Sequence, residues 1–143
     1  VMTGPGVDLP DIDLRIEPAK APGECTPGKE GPAAPTVTSR GDKVTIDWGE
    51  AGALALFVAT PDAVLPLGPG TAEGGETYWA LSAADFPTTF NGPVEYGVIP
   101  AGAQEDSVMN GAPLGGAPLE SGKCYRFSVV VDFAYSHTTM IWP

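Results

Sequence analysis

Leu119-Glu-Ser-Gly-Lys-Cys-Tyr-Arg-Phe-Ser-Val-Val-Val-Asp-Phe133 is the stretch in which apolar and polar residues alternate most cleanly and for longest. Tyr125, Phe127, Val129, Val131 and Phe133 recur at period two. Arg126, Ser128 and Asp132 fall between them, and Val130 is the one apolar exception. That period is the pleat of a β-strand with one face on a core and the other toward solvent. A strand of this kind requires neighbours in a sheet and a second layer over its apolar face. The stretch therefore sets an architecture, and it carries no reactive motif.

The rest of the chain supplies the neighbours. Ala134-Tyr-Ser136 turns into a last strand, His137 to Trp142, whose histidine reads as a polar residue on a threonine-rich edge. Upstream, Pro35 to Arg40 and Lys43 to Trp48 flank Gly41-Asp42 as a hairpin, with Val44, Ile46 and Trp48 turned inward. Ala53-Leu-Ala-Leu-Phe-Val-Ala59 is apolar on both faces, which predicts a strand covered on both sides. Glu76 to Leu81 predicts a strand with Thr77, Trp79 and Leu81 on one face and Tyr78 on the other. Ser82 to Phe86 reads as one capped helical turn stopped by Pro87. Val94 to Ile99 is a further strand, and Pro100 to Pro118 a long loop. No segment keeps a helical period beyond one turn. An all-β, two-sheet sandwich follows.

Two of these segments resemble a known family. Leu119 and Tyr125 with Gly122 between them are similar to the turn into the sixth strand of fibronectin type III and related immunoglobulin-like domains, with Ser121 where that family has proline. Lys43-Val-Thr-Ile-Asp-Trp48 resembles the family's second strand, which ends in a core tryptophan. The resemblance implies an immunoglobulin-like sandwich over residues 36–143, in which the tyrosine ties the corner to the backbone. The interval from Trp48 to Leu119 is longer than the family's, so extra elements are expected there.

Ahead of the sandwich, Asp11-Ile-Asp-Leu-Arg-Ile-Glu17 alternates without a break: Ile12, Leu14 and Ile16 make one face of a strand. Unpaired, those three side chains would leave an apolar stripe in water. Residues 1–17 are therefore an arm that pairs along an open sheet edge, its own or that of a second copy. Donation to a neighbour is head-to-tail and builds filaments when it does not close. Residues 18–35, dense in Pro and Gly, read as a stiff tether. The chain opens Val1-Met-Thr3 without a basic-then-apolar leader and reads as a mature or trimmed product.

Seven basic against eighteen acidic residues give a net charge of −11, which argues against nucleic acid and anionic membrane surfaces as partners. No apolar run reaches the length of a membrane span. Gly 19 and Pro 16 place the chain near low-complexity composition, but a hydrophobic fraction of 43% with sharp strand periodicity assigns those residues to loops. The two cysteines, Cys25 and Cys124, are either one disulfide in an oxidising compartment or two free thiols in a cytosolic chain, and the first is the expectation here. With Tyr125 facing the core, Cys124 faces away, so the bond would clip the tether to the outside of the sheet.

Catalytic and metal chemistry find little to build on. His137 is the only histidine; with Met140 and Cys124 it lacks the second imidazole of a blue-copper site. No Gly-x-Ser-x-Gly elbow or phosphate-cradling Gly-x-x-x-x-Gly-Lys occurs, and Asp8, Asp11 and Asp13 lack the rest of a calcium loop. No metal or other cofactor is expected. Tyr78 and Trp79 are the candidate ligand-binding pair, as a stacking platform for glycans, set against the commoner use of aromatics as core. The expectation is a secreted or cell-surface, non-catalytic structural or adhesive module. Its partners are itself through the arm, other surface proteins, or glycans; a carbohydrate-binding module is the alternative.

Overall fold

The computed structural model describes residues 25–66, 74–106, 108–109, 112–113 and 115–143. Within them the chain is all-β: β1 (Gly28–Glu30), β2 (Thr36–Arg40), β3 (Lys43–Asp47), β4 (Ala55–Ala59), β5 (Thr77–Ala83), β6 (Val94–Glu95), β7 (Ala103–Glu105), β8 (Val108–Met109), β9 (Ala112–Pro113), β10 (Cys124–Val131) and β11 (Ala134–Ile141). All pairings are antiparallel. A six-stranded sheet has the order β1-β11-β10-β4-β5-β7, a three-stranded sheet the order β2-β3-β6, and β8 and β9 form a small ribbon.

The organising stretch is the middle of the larger sheet, as its alternation predicts. Tyr125, Phe127 and Val129 are fully buried and pack with Leu56, Val58, Trp79 and Leu81 against Ile46 and Val94 of the smaller sheet and Trp48, just beyond the end of β3. Two faces meeting across one core make the sandwich. Trp48 is anchored by Nε1 donating to the Ala51 carbonyl at 2.8 Å and by an edge-on contact with Phe90. The Tyr125 hydroxyl accepts the Glu120 backbone N–H at 2.7 Å, which ties the turn at Ser121-Gly122 to the strand that follows it.

Phe133 departs from the expected pattern. β10 stops at Val131, which pairs with Ala134, and Asp132 and Phe133 form the two-residue turn with φ of 55° and 60°. Two consecutive positive φ values match the right-handed twist of the strands they join. The turn ends the alternation before Phe133, which is 69% exposed instead of facing the core.

The second face of the larger sheet is not the solvent face that the polar residues of β10 imply. Ser128 and Arg126 are buried at 0% and 3% exposure, beside Phe57, Ala80 and Val130. Val130, the exception in the alternation, belongs to this second apolar cluster, which Ala63 and Leu65 from the segment after β4 help to cover. β4 is buried at every position, as expected for a strand apolar on both faces.

Three further expectations change. Part of the tether is strand β1, which pairs with β11, so His137 lies inside the sheet rather than on its edge. Pro27 and Pro32 lie outside the paired residues of β1, which is how a proline-dense segment still forms an edge strand. The helical turn at Ser82 to Phe86 is absent: β5 runs through Ala83, and the Thr88 N–H donates to the Asp85 carbonyl to close a tight turn around Phe86-Pro87. The long loop contains β7, which lengthens the larger sheet beyond β5. Ile12, Leu14 and Ile16 of the arm lie outside the described residues.

Candidate functional site

Cys25 and Cys124 are bonded, with an S–S distance of 2.01 Å and Cα atoms 6.0 Å apart. Cys124 begins β10 and stands opposite Ile141 at the end of β11. The cross-link thus fastens the segment leading into β1 to the open end of the central hairpin, away from the inter-sheet core. Beside it, a polar cleft of about 240 Å3 lies over β1, β11 and β10, lined by Thr26, Lys29, Glu30, Arg126 and Thr139 among others.

Tyr78 and Trp79 do not form an exposed platform. Trp79 is fully buried and meets Tyr96 edge-on at 5.2 Å, while Tyr78 is 8% exposed and meets Tyr125 edge-on at 5.1 Å. The cause is a β-bulge. Val58 pairs with Trp79 but Ala59 pairs with Thr77, so Tyr78 is an extra residue and strict alternation fails there. Both rings join the same core cluster. The Tyr78 hydroxyl donates to Glu76, whose carboxylate lies 3.3 Å from the Lys123 ammonium, and that ammonium sits 5.0 Å above the Tyr78 ring. The tyrosine hydroxyl and then Lys123 hold the Glu76 carboxyl below its ordinary pKa. This cluster seals the edge of the core.

On the second face, His137 is 3% exposed, shares a 2.7 Å hydrogen bond between Nδ1 and Ser128 Oγ, and stacks on Tyr135. Burial, with the Arg126 charge adding to it, lowers its pKa from 6.5 to about 4. Between those values the native ring stays neutral while the unfolded chain takes up a proton. Stability is therefore complete above pH 6.5 and is lost as pH falls toward 4, by about 2–4 kcal/mol at 1.36 kcal/mol per unit. Urea midpoints at pH 4.5 and 7 read this out. His137→Gln should flatten the difference, and an unchanged slope in that variant would assign the acid sensitivity elsewhere.

The exposed aromatics are at a place the strand pattern did not indicate. Phe133, in the β10–β11 turn, and Phe86, in the turn after β5, are 69% and 64% exposed and meet edge-on at 6.4 Å. One signal was available: a two-residue hairpin loop usually reads Asn-Gly or Asp-Gly, and Asp132-Phe133 sits where the glycine would be. At the opposite end, a cavity of about 290 Å3 is lined by Ser39, Asp42, Val44, Tyr96, Leu119 and Trp142 among others. Among the described residues no group of three or more His, Cys, Asp or Glu side chains converges as a metal site would require. No helix of the described residues is long and apolar enough to cross a membrane. No protein-family model, curated protein or solved structure matches the chain.

Proposed function

We propose that this chain is an extracellular, non-catalytic β-sandwich module of the immunoglobulin-like, fibronectin type III-like kind, with a structural or adhesive role. Strand order supports the fold part of this reading. In immunoglobulin-like sandwiches the first, second and fifth strands share one sheet and the third, sixth and seventh the other. Here β2, β3 and β6 make one sheet, and β4, β10 and β11 lie together in the other, once β1 and the strands of the long insert are set aside. The Tyr125 corner bond and buried Trp48 agree with the same resemblance.

Fold alone does not carry function. The observation that does is the placement of the disulfide. Cys25 is joined to Cys124, and Cys124 faces Ile141 across one strand pair, so the segment leading into β1 is fastened at the open end of the β10–β11 hairpin. Tension entering at Cys25 would pass through the cross-link directly to β10, bypassing the residues closed inside the loop. Such a bond persists in oxidising surroundings. In its native source the protein should be found outside the cytoplasm, with both cysteines blocked to thiol reagents under denaturing, non-reducing conditions. Recovery with two titratable thiols would overturn the reading.

The arm strand, with Ile12, Leu14 and Ile16, is the part of this reading that concerns self-association. Among the described residues the longest edge strand is β2, five residues long and mostly exposed. Glycan binding through Tyr78 and Trp79 is the weaker alternative, because both rings are covered.

A further inference from the structure

Among the described residues β11 is an interior strand of the larger sheet because β1 pairs with it on its outer side. β11 runs for eight residues, Ala134–Ile141, without Asp, Glu, Lys, Arg, Pro or Gly, and Tyr135, Thr138 and Thr139 favour extended backbone. Left at an edge, a strand of that length and composition is a template for a further strand. β1 is built the other way. It has three residues, two of them the charged Lys29 and Glu30, and it is bracketed by Pro27 and Pro32. Short length, charge and nearby proline are the features that keep an edge from pairing outward. β1 therefore guards an edge that β11 could not guard for itself.

The guard is fastened at both ends. On one side Cys25, just ahead of Gly28, is bonded to Cys124. On the other, the Ala33 N–H donates to Ser136 Oγ and the Thr138 hydroxyl donates to the Pro35 carbonyl. Between these points Gly28, Lys29 and Glu30 pair with β11. Both cysteines are half-buried, and the polar cleft of about 240 Å3, with Thr26 in its lining, lies beside them. A small dithiol opens such a bond in two steps. Its first thiolate displaces one cysteine sulfur to give a mixed disulfide; its second then closes the reductant's own disulfide, leaving Cys25 and Cys124 as thiols.

We infer that the Cys25–Cys124 bond is a latch on β1, and that opening it lets the β11 edge of one copy pair antiparallel with the β11 edge of a second. β11 is buried on both faces from Tyr135 to Thr139, so a strand added alongside meets two dry flanks. A second β11 carries no charge on either face, whereas the arm places Asp11, Asp13, Arg15 and Glu17 along one of its own. Two identical edges meet about a two-fold axis, the larger sheet continues from one copy into the other, and the contact closes as a dimer. This goes beyond the structural reading, since it concerns a surface that the intact bond withholds.

Sedimentation of the full-length chain carrying Cys25→Ser and Cys124→Ser tests it, because that variant has no thiol with which to bond a second copy. Against the oxidised wild type, it should dimerise roughly 10-fold more tightly or better. The contact is uncharged while each copy carries −11, so added salt should strengthen it. Amide exchange in the dimer should find residues 134–141 protected and residues 28–30 released. Gly31→Val opens the same edge with the bond intact: a Cβ there lies 2.9 Å from Ser136 Cα, on a residue with φ of 92°, and drives the chain off β11. It should dimerise as well. Trp79→Ala also loses stability but leaves β1 in place, and should sediment like the wild type. Three results would each overturn the proposal: either β1-releasing variant associating no better than the wild type, Trp79→Ala associating as the serine variant does, or protection gained at residues 36–40 of β2 and lost at β11. None of them bears on the thiol count in the native source, so the two readings fail separately.

Discussion

Replacing Cys25 and Cys124 together by serine is expected to lower the folding free energy by about 4–5 kcal/mol, the largest effect of any change at two positions short of gutting the core. The bond closes a separation of 99 residues, and the chain-entropy model makes the benefit grow with the logarithm of that length. In a chain of this size the thermal midpoint should fall by roughly 10–15 °C. The loss should also have an address. β1 makes only three paired positions with β11, from Gly28 opposite Thr139 to Glu30 opposite His137, too few to hold an edge strand without the covalent tie. Further along, the Ala33 N–H donates to Ser136 Oγ and the Thr138 hydroxyl donates to the Pro35 carbonyl, so the segment stays fastened beyond β1. Amide exchange in the serine variant should therefore speed up at residues 28–30 well before the β10–β11 ladder responds. Uniform acceleration across both sheets would mean that the bond acts on the unfolded chain alone. A midpoint shift under about 3 °C would sink the entropic account.

Trp79→Ala should cost about 3–5 kcal/mol, because the ring is fully buried at the meeting of β5 with the smaller sheet and its loss leaves a cavity that strands on both sides hold open. The indole N–H has no hydrogen-bond partner among the described residues, so Trp79→Phe removes an unsatisfied donor along with part of the ring and should cost far less than the alanine change. Neither substitution should alter retention on a polysaccharide matrix. Tyr78→Ala should likewise lower the thermal midpoint without a selective loss of binding. A variant of either residue that kept its midpoint and lost retention would restore the glycan-binding reading.

The buried tryptophan was readable from its place between Thr77 and Leu81, whereas the burial of its neighbour was not. Alternation assigns Tyr78 to the opposite face, and only the register between β4 and β5 reveals the extra residue that brings it round. The same holds at Phe133. Its period-two spacing from Val131 is genuine, but the strand ends when Ala134 pairs with Val131, and a partner strand decides where that happens. The pairing of Cys25 with Cys124 was open from their number alone, and proximity in the folded chain closes it.

By itself the sequence determined the elements with long, regular patterns: β10, the β2–β3 hairpin, the doubly covered β4, and therefore an all-β sandwich with Trp48 and Tyr125 in its core. Side-chain period is a local property, set by the pleat of each strand, and it needs no partner to be read. Only the tertiary structure decided which faces are dry, because Arg126, Ser128 and His137 are buried by segments distant in the chain rather than by their own polarity. It also decided that a proline-dense segment contributes an edge strand and that the long insert extends the larger sheet, since edge strands of two or three residues are held by pairing rather than by propensity. The exposed ring pair of Phe86 and Phe133 and the cavity lined by Asp42, Tyr96 and Trp142 lie at opposite ends of the sandwich for the same reason: each gathers residues from loops far apart in sequence, which antiparallel pairing brings to one end.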